Sequence, residues 1–145
     1  TNLDPTLPKI EVVSQDIGRV LLNLINNAFY AINERANLLN VEKQSDDSNL
    51  KDLIYKPTVS ITTQLTADSQ LQISIKDNGS GIPAHIKDKI FQPFFTTKPT
   101  GQGTGLGLSL AYDIIKAHEG ELKVETVDGE GSTFIIQLPF VNMLD

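Results

Sequence analysis

The sequence predicts an α+β domain in two layers, with helices packed on one face of a mixed β-sheet. Three observations carry that prediction. One long stretch repeats apolar residues at 3- and 4-residue steps, and a second long helix is expected apart from it in the chain. Two pairs of alternating apolar segments each lie next to one another in the chain, as hairpins do. Finally, 145 residues with 39% hydrophobic and 21% charged side chains make an ordinary globular composition, read here as one domain over 1–145.

The elements follow in chain order. Residues 9–13 (KIEVV) predict a short strand after Pro5 and Pro8. The spacing of Ile17, Val20, Leu21, Leu24, Ile25, Ala28, Ala31 and Ile32 predicts the longest helix, over 15–39. Ser14 is its candidate N-cap, and Asp16 sits in its first turn, where the helix dipole favours an anion. Residues 40–52 are almost free of apolar side chains and read as a surface loop. Val59, Ile61 and Leu65 alternate in one strand; Leu71, Ile73 and Ile75 alternate in the next. The polar TADSQ between them makes a hairpin turn. A short helix is expected from Pro83 to Ile90, with proline suited to its first turn. A second long helix is expected from Leu106 to His118, ended by Gly120. LKVETV and STFIIQLPF close the chain as a strand pair around DGEG.

Composition also excludes functions. A net charge of −6 argues against nonspecific contact with nucleic acid or anionic membranes, which needs a basic face. The chain has no cysteine and two histidines, so a disulfide scaffold, a thiolate site and a multi-histidine zinc site are out. No apolar run is long enough to span a bilayer and no signal pattern opens the chain, so a cytoplasmic location is expected.

Three constellations carry chemistry. Asn23 and Asn27 lie at i and i+4 on one helix face. A carboxamide oxygen is a neutral ligand for a hard cation such as Mg2+, although two solvated or capping asparagines would share that spacing. The second constellation is DNGSGIP, residues 77–83, directly after a strand. Continuing the alternation puts Asp77 on the face of Leu71, Ile73 and Ile75, where a half-buried carboxylate wants a donor such as the amine of adenine. A tight turn with a solvated Asp is the alternative. A dinucleotide fingerprint over Gly79–Ala84 is rejected: it would set a carboxylate beside a pyrophosphate, and no strand follows at the right spacing. The third is GQGTGLGL, residues 101–108, whose glycines free backbone NH groups for phosphate as a helix opens. A linker would also be glycine-rich, but this run leads straight into a helix. Lys98 is the nearest basic candidate for a terminal phosphate.

In this order, N-x-x-x-N, D-x-G-x-G, Phe91-x-x-Phe94-Phe95-Thr-Thr-Lys and G-x-G-x-G-x-G resemble the ATP-binding catalytic domain of sensor histidine kinases, in the superfamily of gyrase, Hsp90 and MutL. VLLNLINNAFYAI is similar to the N box, DNGSGIP to the G1 box, IFQPFFTTK to the F box, GQGTGLGLSLA to the G2 box and GEGSTFIIQLP to the closing hairpin. The resemblance implies the Bergerat-type ATP-binding fold, with ATP and Mg2+ as cofactors. It implies that Asn27 binds Mg2+ and Asn23 supports it near the phosphates. Asp77 would read the adenine amine, helped by Thr133 through water. Gly79, Gly81 and Ile82 would shape the adenine pocket. Phe91 and Phe94 would anchor a lid; Thr97, Gly101, Gly103, Thr104, Gly105, Leu106 and Gly107 would wrap the triphosphate. Asn23 and Lys98 are the catalytic candidates.

The departures are informative. Related hydrolases carry a glutamate base at the first N-box position; Asn23 cannot take a proton, which favours phosphoryl transfer over hydrolysis. Tyr30 stands where many histidine kinases have Lys or Arg, and Lys98 is the candidate to replace that contact. His118 reads as a packed structural histidine and His85 as exposed; neither sits in an acceptor motif. The expected function is transfer of the γ-phosphoryl of Mg-ATP to a histidine on an upstream dimerisation domain, with a response regulator receiver domain downstream. No nucleic acid and no direct membrane contact are expected. The alternatives are an ATPase of the Hsp90 or MutL type and a degenerate nucleotide sensor.

Overall fold

The structure, a computed structural model, describes residues 1–10, 12–42, 55–99 and 105–140. Its elements are α1 (Ser14–Glu42), β1 (Val59–Leu65), β2 (Gln70–Asp77), α2 (Ala84–Lys87), α3 (Gly107–Ala117), β3 (Glu121–Val127) and β4 (Gly131–Pro139). The strands form one four-stranded sheet in the order β1-β2-β4-β3.

The two-layer arrangement is as the periodicity predicts. The series Ile17, Val20, Leu24, Ala28 and Ile32 is buried along α1. All of these but Ile32 cluster with Ile73 and Ile75 of β2, Phe134, Ile136 and Leu138 of β4, and Ala111, Ile114 and Ile115 of α3. Each of the larger side chains, Val, Leu, Ile or Phe, taken out of water stabilises the fold by roughly 1.5–3 kcal/mol, before entropy is counted. β4 alternates without a break, so residues 132, 134, 136 and 138 face the helices and the residues between them face away.

Some boundaries and one element differ. All three strand pairs are antiparallel, and the parallel component of the sheet is a single bridge from Asn2 to Thr62. No strand forms over the described part of 9–13. Ile10 and Val12 instead pack their side chains on the core, which hydrophobic burial rewards without any ladder bonds. α1 starts one residue before the expected 15. The Val13 carbonyl accepts the NH groups of Asp16 and Ile17, so Ser14 lies inside the first turn rather than capping it. α2 is one turn, shorter than the expected 83–90. Most of the expected loop at 40–52 lies outside the described residues.

α3 ends as a Schellman turn, with Gly120 NH donating to the Ile115 carbonyl and Glu119 NH to that of Lys116. The left-handed residue is Glu119, φ 59°, one position before the glycine expected to end the helix. His118 joins the two helices: Nδ1–H donates to the Ile114 carbonyl at 2.8 Å, and Nε2 accepts the Val13 NH at 3.2 Å. It is the packed structural histidine the sequence predicts.

Candidate functional site

One cleft of about 820 Å3 opens between α1, the C-terminal end of β2 and the segment leading into α3. That is within the size of small-molecule sites. It has two chemically different ends.

The inner end is built by the sheet. β2 delivers Asp77 to the cleft with its side chain 3% exposed. Its Oδ1 accepts the Gly79 NH at 2.9 Å. Burial raises its carboxyl above the ordinary 3.8, and NH groups of Gly79 and Ser132 pull it part of the way back. Among the described residues no ion pair reaches it. The residue opposite Asp77 across the ladder is Ser132, which lines the cleft. Thr133 is paired with Lys76 and turned to the far face of the sheet. The expected support of Asp77 by Thr133 is therefore corrected: the period-2 alternation puts Ser132 inward. That alternation was available in the spacing of Phe134, Ile136 and Leu138.

The turn after Asp77 is fixed by backbone contact. Gly81 holds φ 72°, and a Cβ there would collide with the Val127 carbonyl, so only glycine fits. Gly129 NH donates to the Ser80 carbonyl at 2.6 Å, binding the β3–β4 turn to this one. Thr126 Oγ1 accepts the Ile82 NH at 2.8 Å and lies 2.9 Å from Ser132 Oγ. Gly79 packs on Ala31 of α1 and shapes the wall from behind instead of lining the cleft.

The outer end is built by side chains of α1. Asn27 Oδ1 accepts from Lys98 Nζ at 3.0 Å, and that ammonium lies 4.7 Å from the centre of the Tyr30 ring. Burial lowers the pKa of Lys98 below its ordinary 10.5. Asn23 Nδ2 donates to the Gly107 carbonyl at 3.2 Å, tying α1 to the first residue of α3. Gly107 and Leu108 bring the start of α3, with its spare NH groups, to the cleft wall. Gly105 has φ 71°, and a Cβ would strike the Phe94 backbone.

Of the residues singled out from sequence, Asn23, Asn27, Tyr30, Asp77, Gly81, Ile82, Thr97, Lys98, Gly105 and Gly107 meet around this cleft. Gly101, Gly103 and Thr104 lie outside the described residues. Phe91 stays out of the cleft and packs in the core, 5.3 Å from Tyr112 and 6.4 Å from Phe134. Phe94 is corrected as an anchor. Its ring is 74% exposed and its backbone left-handed, while Phe95 takes the place on the wall. Leu106 is the cap of α3, with its carbonyl accepting from Ser109 and Leu110 and its side chain outward. The sequence reading missed Asn26, Glu34, Phe95, Asp128 and Ser132 on the wall.

Among the described residues no group of three or more acidic or histidine side chains could hold a metal. Asn27 Oδ1 nevertheless already holds a cation, the Lys98 ammonium, and it faces open cleft. One neutral oxygen fits an ion such as Mg2+ that keeps waters and borrows phosphate oxygens. No helix among the described residues is long and apolar enough to cross a membrane.

The chain is similar to known proteins in sequence and in fold. The sequence profile of the "Histidine kinase-, DNA gyrase B-, and HSP90-like ATPase" family matches residues 12–142. The signal transduction histidine-protein kinase AtoS of Escherichia coli (strain K12) is 39% identical over 139 residues, 96% of this chain and 19% of that protein. The sensor histidine kinase ZraS of the same strain is 35% identical over 134 residues, 92% of this chain and 24% of that one. This chain thus spans about a fifth to a quarter of those relatives' length. Among solved structures, the catalytic domain of histidine kinase ThkA superposes with a TM-score of 0.68 at 32% identity, covering 95% of this chain and 75% of that one. The chain belongs to the family of histidine kinase-, DNA gyrase B- and HSP90-like ATPases, as a catalytic domain of the sensor histidine kinase kind.

Proposed function

We propose that this domain binds Mg-ATP in the cleft and donates the γ-phosphoryl group to a histidine on a separate dimerisation domain, within two-component signalling. The observation that carries the reading is the pairing of a buried carboxylate, held by backbone NH groups and met by no ion pair among the described residues, with a cation-holding carboxamide at the other end. Asp77 would accept the exocyclic amine of adenine, and the backbone around Gly81 would admit the flat base. Lys98 and the start of α3 would meet the phosphates. Asn27 would hold Mg2+, which when bound neutralises charge on the phosphate oxygens.

The transfer balances without a base in this chain. An imidazole nitrogen of the acceptor forms the new N–P bond as the bond from the γ-phosphorus to its bridging oxygen breaks. ADP leaves with that electron pair, and the imidazole proton goes to a group outside this domain. Asn23 speaks for transfer over hydrolysis: its amide nitrogen is spent on the Gly107 carbonyl, and a carboxamide cannot take a proton from water. The partners that follow are the domain bearing the acceptor histidine and a response regulator receiver domain.

The test is calorimetric titration with a non-hydrolysable ATP analogue and with ADP, each with and without Mg2+, then transfer to a supplied acceptor domain. Magnesium-dependent binding in the micromolar to sub-millimolar range and a labelled acceptor histidine are the expected outcome. No binding at millimolar nucleotide would sink the nucleotide reading. Binding with release of free phosphate in place of a labelled acceptor would replace the kinase by an ATPase.

A further inference from the structure

Behind the inner end of the cleft lies a cluster that the nucleotide reading does not use. Arg35 is half-buried on α1, two turns beyond Asn27 on the same side of the helix. Its Nη1 donates toward three backbone carbonyls at once: Asn78 at 2.9 Å, Gly79 at 3.3 Å and Glu130 at 3.4 Å. Its guanidinium lies 4.9 Å from the centre of the Tyr55 ring. The Tyr55 hydroxyl donates to the Asn78 carbonyl at 3.0 Å and lies 3.2 Å from Asn78 Oδ1. Burial raises the pKa of that hydroxyl, so it stays a donor at neutral pH. Asn78 completes the brace: its Oδ1 accepts the Thr58 NH and its Nδ2 donates to the Lys56 carbonyl, both at 2.8 Å.

These contacts converge on the two residues after Asp77. A carbonyl in a tight turn needs a donor, and here a single cation supplies donors to both loops that frame the inner end. A guanidinium suits this task better than an ammonium, because it can lie over the Tyr55 ring while Nη1 donates to the carbonyls. We propose that Arg35, stacked on Tyr55, is a positioning residue for base selection: it holds the 78–81 turn and the 128–130 turn together so that the Asp77 carboxylate points at the exocyclic amine. It touches no nucleotide itself. The inference rests on the reading of Asp77 as the group that meets that amine.

The experiment compares this chain with its Arg35→Ala, Arg35→Lys, Tyr55→Phe and Asp77→Asn variants. Each is titrated with ATP and with inosine triphosphate, which lacks the exocyclic amine, and each melting temperature is recorded. Ile136→Val, buried in β4 away from the turn, supplies a destabilised control. Arg35→Ala is expected to lower the ATP-to-inosine-triphosphate affinity ratio about tenfold, the size of one misplaced charge-assisted hydrogen bond. Arg35→Lys should recover part of that ratio and Tyr55→Phe should lose a smaller part, while Ile136→Val leaves it unchanged. If Arg35→Ala does not fold, the lysine and phenylalanine variants carry the same comparison. A lower melting temperature with an unchanged ratio in the Arg35 and Tyr55 variants, while Asp77→Asn collapses it, would overturn the role of Arg35 alone. An unchanged ratio in Asp77→Asn would overturn the reading of Asp77, and the role of Arg35 with it.

Discussion

The two ends of the cleft are held in opposite ways. Around Asp77 nearly every constraint is backbone: the β2–β4 ladder, the Ser80–Gly129 bond, the carbonyls gathered by Arg35 and a glycine that admits no Cβ. Around Asn27 the constraints are side-chain tips, with Lys98 resting on Asn27 and Tyr30 and Asn23 reaching to Gly107. Backbone contacts cannot be given up without moving the sheet. Side-chain contacts can be exchanged for others of equal strength. The difference suits a ligand with one rigid end and one highly charged end. A flat base is read best by groups already in place, since ordering them on binding would cost affinity. A metal-bound triphosphate needs groups that can let go of each other, because an ammonium and a divalent cation held on the same Asn27 oxygen repel one another.

Mutations at the two ends should therefore separate stability from affinity. The largest effect is expected for Gly81→Ala, which adds left-handed strain to a collision with the Val127 backbone. It should destabilise the fold by about 3 kcal/mol or more, read from chemical denaturation. A loss under about 1 kcal/mol would show that the inner end yields more than its contacts imply. Next, Asp77→Asn should weaken ATP by roughly 10- to 100-fold in calorimetry. Equal affinity would break the assignment of the base to the inner end.

At the outer end, Asn27→Ala should abolish the magnesium-dependent part of nucleotide binding while moving stability by no more than about 0.5 kcal/mol. A persistent magnesium response would remove Asn27 from the site. Lys98→Ala should weaken ATP about three- to tenfold and ADP less, as expected for a partly desolvated charge pair. Equal losses for both nucleotides would move Lys98 off the terminal phosphate. The smallest effect is the pH dependence of the inner end. The raised pKa of Asp77 means that the folded state holds its proton longer than the unfolded chain. Its contribution to stability is full below pH 3.8 and is lost as pH rises through the higher folded value. Denaturation midpoints of the chain and of Asp77→Asn should accordingly diverge from pH 3.8 toward neutrality, with the variant gaining. Parallel midpoints would mean that Asp77 is solvated in the folded state.

What the chain order makes readable is uneven. The long helix, both hairpins and the face of Asp77 follow from spacing, because burial of one face imposes the period of 3.6 or 2 on the residues themselves. Gly81 in DNGSGIP is equally readable, since a left-handed turn beside a backbone excludes other residues, whereas Gly79 is required by the close approach of Ala31 on α1. KIEVV misleads because apolar residues such as Ile10 and Val12 bury equally well without ladder bonds, and a strand needs a partner edge that no local pattern reports. Phe91, Phe94 and Phe95 are indistinguishable by composition; the left-handed backbone at Phe94 decides which ring points in. The alternation along β4 distinguishes Ser132 from Thr133: the residue in step with Phe134, Ile136 and Leu138 faces the cleft.

Chain order alone set the layers, the core residues, the inward-facing carboxylate at the end of β2 and the two asparagines on one helical stripe. These depend on neighbours a few residues away, where chain geometry leaves little freedom. Tertiary structure alone decided that Lys98 lies against Asn27, 71 positions earlier, and that Arg35 braces Asn78, 43 positions later. Contacts at such separations are set by how the helix lies on the sheet, and that is an outcome of packing the whole core at once.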